Sequence, residues 1–197
     1  MDTIRSFSAD SEDALWQQVA ADMAREANLF EYTADLHQEG YTVRLELDID
    51  LGGGFEGGFE TTTFTAPVPT HVELRFALHE QDWIHEIGKL LGLTDVQLGY
   101  PELDPAYIIT TNDPAALQGL LSDPVLRETL QKYQELRLSL APTHHDNVDE
   151  LFLTLTKEQA ITDPQQLQEI YHLMLSLLQQ LSPAAPVAPA TSLRTNA

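Results

Sequence analysis

With 31 acidic side chains against 10 basic ones, this 197-residue chain carries a formal net charge of −21. That excess repels phosphate backbones and anionic lipid surfaces, so it counts against a nucleic-acid or membrane-surface partner and leaves a basic partner, a cation or another protein as the electrostatic expectation. The sequence holds no cysteine, which removes disulfides, thiolate zinc sites and a cysteine nucleophile and fits a reducing cytoplasm.

Met1 to Asp10 has neither a basic start nor an apolar run, so no signal peptide is expected and residues 1–10 are predicted to be a flexible N-terminus. Nowhere does the chain reach the roughly 18 consecutive apolar residues of a spanning helix, so direct membrane insertion is not expected. Ser11 to Phe30 predicts a helix: Ser11 can cap it, Glu12 and Asp13 suit the positive end of its dipole, and Leu15, Trp16, Val19, Met23 and Ala27 form one apolar stripe.

Tyr41 to Leu51 alternates strictly, with Val43, Leu45, Leu47 and Ile49 on one side and Arg44, Glu46, Asp48 and Asp50 on the other. Period two over such a length predicts a strand with one buried face. The glycine-rich segment Gly52 to Gly58 and the strand-like Phe59 to Ala66 complete a hairpin, which Pro67 and Pro69 should end because proline donates nothing to a ladder. His71 to Leu78 predicts a third strand, Asp82 to Leu91 a short helix, and Val96 to Leu98 and Tyr107 to Thr110 two further short strands.

Four Asp-Pro pairs punctuate the remainder: Asp104-Pro105, Asp113-Pro114, Asp123-Pro124 and Asp163-Pro164. Aspartate caps a helix and proline suits its first position, so the last three predict helices over Ala115 to Leu121, Val125 to Tyr133 and Gln165 to Leu181. Asp104-Pro105 instead opens a turn. Leu136 to Leu140 and Leu151 to Leu155 alternate like strands on either side of a polar turn at Thr143 to Asp149, and the Pro/Ala-rich residues 182–197 are expected to be a disordered tail. The predicted whole is a single α+β domain over residues 11–181. Its sheet is largely antiparallel, built from hairpins and meander strands, with helices packed against it and a long C-terminal helix.

Three motifs match only on the surface. Gly52, Gly54 and Gly57 fit the dinucleotide fingerprint, but that fingerprint needs a helix to receive the pyrophosphate, and Phe59 to Phe64 is strand-like. Asp48 and Asp50 before Gly52-Gly53 resemble a calcium loop, yet the fifth place holds glycine and the twelfth Phe59, with Glu60 one late. His79-Glu80 and His85-Glu86 stand six apart where a zinc-protease helix needs four, and His144-His145-Asp146 sits on a turn. Trp16 and Trp83 fall on apolar stripes and are read as core.

The run Leu91-Gly92-Leu93-Thr94-Asp95-Val96-Gln97-Leu98-Gly99-Tyr100-Pro101-Glu102-Leu103-Asp104, with Tyr107-Ile108-Ile109, Asn112-Asp113-Pro114 and Leu120 to Arg127 after it, resembles an uncharacterised family of bacterial domains. Members often follow one or two membrane-spanning helices, and the resemblance covers about Leu78 to Leu181. The chain departs from that pattern at Tyr100, where aspartate is usual, and at Leu103, where phenylalanine is usual. The resemblance implies no activity and carries over no site. Physically, Gly99 and Pro101 shape a turn, Leu103 enters the core, and Asp104 bonds the backbone of that turn.

These observations lead to a non-enzymatic acidic interaction or ligand-binding module, of immunity or inhibitor type, with a basic protein partner. No catalytic, cofactor-binding or metal-ligating residue is assigned, and no cofactor is expected. The alternative is an enzyme or a weakly calcium-dependent protein whose site lies at Gly52 to Gly58, around Asp48, Asp50, Glu56 and Glu60. It predicts a concave pocket of convergent carboxylates. An uncovered apolar face on Tyr41 to Leu51 would instead point to oligomerisation.

Overall fold

The computed structural model describes residues 4–26, 29–52, 57–80, 93–145 and 148–183. Its elements in chain order are β1 (Arg5–Ser8), α1 (Glu12–Met23), β2 (Glu31–Gln38), β3 (Tyr41–Asp50), β4 (Phe59–Val68), β5 (Phe76–His79), β6 (Thr94–Val96), β7 (Ile108–Thr111), α2 (Pro114–Leu120), α3 (Pro124–Lys132), β8 (Leu136–His145), β9 (Val148–Lys157) and α4 (Pro164–Leu181). The strands form one nine-stranded sheet in the order β1-β2-β3-β4-β9-β8-β5-β7-β6. Only β1 and β2 run parallel, as their connection through α1 requires; every other pair is antiparallel. The α+β class and the largely antiparallel sheet are as the sequence predicts.

Several local expectations are corrected. Residues 5–8, expected within a flexible N-terminus, form β1, registered on β2 from Arg5↔Ala34 to Ser8↔His37. The helix expected to reach Phe30 stops at Met23, the last residue of its buried stripe, and Glu31 starts a strand whose buried positions Tyr32, Ala34, Leu36 and Gln38 alternate. Strand β4 runs through Pro67 to Val68. Proline is tolerated there because the β3–β4 pairing ends at Arg44↔Thr65, while pairing to β9 continues. The strand expected from His71 begins only at Phe76: the Arg75 guanidinium donates to the carbonyls of Val72 and Leu74, and Asn112 bonds the backbone of Glu73 and Arg75. The predicted helix over Asp82 to Leu91 lies outside the described residues, as does the tail from residue 184 onward.

Alternation puts one side of each long strand into a common core. Leu36, Val43, Leu45, Phe64, Leu138, Leu140, Leu153 and Leu155 are all inaccessible to solvent. Against this face lies α4, touching β3, β4 and β9, while α1, α2 and α3 each pack on α4. The apolar side of Tyr41 to Leu51 is therefore covered across Val43, Leu45 and Leu47 by the chain's own helix, which removes the reason to expect oligomerisation there. The caps form as the sequence predicts: Asp113, Asp123 and Asp163 accept the backbone N–H groups of Ala116, Val125 and Gln165, each with proline opening the helix. Among the described residues no helix is long and apolar enough to cross a membrane.

The turn after β6 shows how sequence sets a stop. Both oxygens of Asp104 accept backbone hydrogens, from Leu98 at 2.9 Å and Gly99 at 2.8 Å. With its N–H engaged there, Leu98 leaves the ladder, so the strand expected over Val96 to Leu98 is found at Thr94–Val96. Gly99 adopts φ +82, a conformation that favours glycine, and Leu103 is fully buried. Arg127 locks the turn to α3: its guanidinium stacks 4.2 Å from the Tyr100 ring centre, pairs with Glu102 and donates to the carbonyls of Leu121 and Ser122. Asp104→Ala strands the partly buried Leu98 N–H and leaves the exposed Gly99 N–H to water, and is expected to cost about 1–3 kcal/mol, seen as a lowered thermal midpoint with Asp104→Asn intermediate.

Buried phenols give a second check. Desolvation raises the pKa of Tyr32, Tyr107 and Tyr171, with Asp22 adding to it at Tyr32; burial and then a hydrogen bond to Glu169 push Tyr133 up to about 12. The folded values exceed the unfolded value of about 10, so these groups' contribution is complete below pH ~10 and is lost as pH rises toward the folded values. Ultraviolet titration should show these four phenols silent near pH 10 and released by cooperative unfolding above it. Ordinary titration near pH 10 in the folded chain would contradict their burial.

Candidate functional site

The described helices pack on one face of the sheet; on the other, β1–β4, β8 and β9 carry the polar positions of their alternations, whereas Ala77 of β5 and Thr110 of β7 are buried. Register aligns them in rows. One row runs across all nine strands through Ser6, Asp35, Arg44, Thr65, Thr154, Ser139, Ala77, Thr110 and Asp95. The next holds Thr33, Glu46, Thr63, Thr156 and Arg137, and a third Glu31, Asp48 and Thr61. Threonine suits such a face because its β-branched stem packs on the pleat while its hydroxyl meets water.

Charge on this face is unevenly compensated. Arg44 grips both oxygens of Asp35, at 2.8 and 3.1 Å, and Arg137 pairs with Glu158. His37 bridges three strands, with Nδ1 2.9 Å from the Thr42 hydroxyl and Nε2 3.1 Å from that of Ser6. Glu46 and Asp48, by contrast, accept no hydrogen bond from any described residue. Together with Glu31, Thr33, Thr61 and Thr63 they line an open trough of about 780 Å³ over β2, β3 and β4. Its rim is set by Arg5, whose guanidinium lies 4.5 Å from the Tyr32 ring centre, meets Asp22 at 2.8 Å and pairs with Glu26.

The residues singled out for an enzymatic or calcium site are not drawn together. Asp48 lies in the trough, half-buried. Asp50 is exposed at the end of β3, with Oδ1 accepting the Gly52 N–H at 2.8 Å, and Glu60 takes the opposite phase of β4. Asp50 and Glu60 line a separate depression at the hairpin tip, while Glu56 lies outside the described residues. Among the described residues no group of three His, Asp or Glu is placed to hold a metal. The glycine fingerprint leads into β4, so the strand occupies the position where a phosphate-binding helix would have to start. A Cβ on Gly58 would lie 2.3 Å from the Asp50 carbonyl oxygen, which is why the chain needs glycine where the hairpin closes.

His79 is buried at the end of β5. Its Nδ1 faces the Glu80 carbonyl at 2.8 Å and so carries the proton, and its Nε2 has no hydrogen-bond partner among the described residues. His85, Glu86 and Trp83 lie outside the described residues, His144 and His145 end β8, and Trp16 sits in the core, edge-on to Tyr171. The sequence reading missed the extent of the open face. Its signal was present in the polar phases of β2, β4 and β9, including Thr61-Thr62-Thr63, whose central member alone is buried.

Comparison of the chain with protein-family models, with curated proteins and with solved structures finds no match.

Among the described residues, Arg5 is the cation that ties β1 to α1 at the rim of the trough. Arg5→Ala is expected to cost about 1 kcal/mol, from a stacked cation and two partly exposed ion pairs. Amide exchange in β1 should quicken roughly fivefold while β3 and β4 stay protected; uniform acceleration across the sheet would show that β1 has no separate stability.

Proposed function

We propose that this chain is a non-enzymatic acidic interaction module that covers a basic surface of a protein partner, as an inhibitor or immunity protein does. The observation that carries this reading is the trough on the open face, where Glu31, Glu46 and Asp48 converge on one side of the β2–β3–β4 meander of a chain with net charge −21. Carboxylates held on a rigid sheet present a fixed pattern of negative charge, which steers a basic partner and fixes its orientation. A cytoplasmic setting accords with a cysteine-free sequence.

Binding to a lysine-rich peptide tests the location of the charge as well as its sign. Affinity should fall steeply as salt rises from about 0.01 to about 0.15 M, where the screening length shrinks from roughly 30 to about 8 Å. Glu31→Gln with Glu46→Gln and Asp48→Asn should weaken binding about tenfold, because three surface pairs contribute up to about 1 kcal/mol each. A control that neutralises Asp10, Glu73 and Glu128, all exposed away from the trough, changes net charge equally and should have little effect. Equal losses in the two variants would reduce the interaction to bulk charge and sink the reading.

A further inference from the structure

Along β9 the core phase runs Leu153, Leu155, Lys157, so the strand ends on a lysine where its alternation calls for an apolar side chain. Lys157 is only 8% exposed, and it lines an open cavity of about 590 Å³ between the end of α3 and the start of α4. An ammonium carries three N–H donors. Among the described residues one is taken, by the Gln134 carbonyl at 2.6 Å; the Glu135 carboxylate stands 3.6 Å away, an ion-pair distance but too long for a hydrogen bond. A charge placed this deep is costly with so little compensation. Lys132 lines the cavity too, but its ammonium is committed to Glu169 at 2.5 Å. The side-chain amides of Gln159 and Gln166, on the same lining, make no hydrogen bond to any described residue. Glu135 itself sits in the left-handed region at φ +64, its N–H held by a Glu80 carboxylate oxygen at 3.1 Å. A carboxylate is thus kept beside Lys157 at a position where glycine would carry less strain.

We propose that this cavity binds a free α-amino acid, its carboxylate on Lys157 and its ammonium on Glu135. The two poles of such a zwitterion lie about 3 Å apart. That is close to the 3.6 Å between the two protein charges, so ligand and protein pair head to tail. The uncommitted glutamine amides, donors and acceptors both, complete the hydrogen bonding of either pole. Other small ligands fit less well. A phosphate would bring a second negative charge toward Glu135 and Asp163 in a chain of net charge −21. A plain carboxylate would serve Lys157 but face Glu135, and a plain amine would serve Glu135 but face Lys157. Lys157 belongs to the core phase of β9 and the trough to the opposite face, so this inference does not depend on the acidic-module reading.

The test follows the backbone amide signals of the isotope-labelled full chain by NMR. Glycine, L-serine, L-glutamine and L-leucine are titrated separately, as are acetate and methylammonium, the two halves of glycine. At least one amino acid should shift the signals of residues 132–135 and 157–166 saturably, at about tenfold lower concentration than acetate or methylammonium. Glu135→Gln replaces an exposed side chain and should keep the parent's thermal midpoint. It should weaken the amino acid about fivefold and leave acetate unchanged or tighter. Lys157→Met should abolish binding of both; because Lys157 also holds the Gln134 carbonyl, that variant is expected to melt lower, and Glu135→Gln decides the matter if it does not fold. Absence of saturable shifts with all four amino acids, acetate binding as tightly as they do, or undiminished amino-acid binding in Glu135→Gln overturns the proposal and leaves the acidic-module reading standing.

Discussion

The ladder between β4 and β9, from Thr62↔Lys157 to Val68↔Leu151, is the constraint on which the sheet depends. Strands β4 and β5 follow one another in sequence but are separated in the sheet by the β9–β8 hairpin, which enters between them. Without that insertion the N-terminal meander and the strands β5, β6 and β7 would be two small sheets, each lacking a neighbour. The seam is fastened at one end by polar groups inside the core: the Thr62 hydroxyl donates to the Gln159 carbonyl and accepts the Ile161 N–H, each at 2.8 Å, and Lys157 donates to the Gln134 carbonyl at 2.6 Å. Burying Thr62 and Lys157 is tolerable because their polar atoms are engaged. Pairing of segments so distant in sequence carries a loop-closure cost before it is rewarded, which places this fold among those expected to form slowly.

What could be read from the sequence was local chemistry. The alternation of β3, the three Asp-Pro helix starts and the Asp104 turn each depend on residues within a few positions of one another, and each appears in the structure atom by atom. What escaped was decided at a distance. Strand β2 alternates as plainly as β3 does, but the helical stripe of α1 runs directly toward it, and only the partners β1 and β3 make Glu31–Gln38 extended. Strand β1 has four residues and no independent signal; its existence follows from the crossover that α1 completes. The order of the strands was not legible either, because nothing in β8 or β9 names β4 and β5 as neighbours.

The candidate surface was half-legible for the same reason. Asp48 and Asp50 stood out in a single strand, yet the trough takes Glu31 from β2 and Thr61 and Thr63 from β4, and only register brings these rows together. Along β2, β3 and β4 the positions that alternation leaves outside the core are also the ones the described helices do not cover. One pattern thus divides the meander: leucine and its kin fix the fold on one side, while threonine and carboxylate line the other.

An open sheet of nine strands must also end somewhere, and its two margins are of one kind. Strand β1 contributes four residues and β6 only three, with Asp95 at the centre of the latter. Short terminal strands expose few unpaired backbone groups, and a charge on one of them discourages a further strand from adding. A sheet broad enough to template a fibril is in this way blunted at both borders, so that growth by strand addition is suppressed.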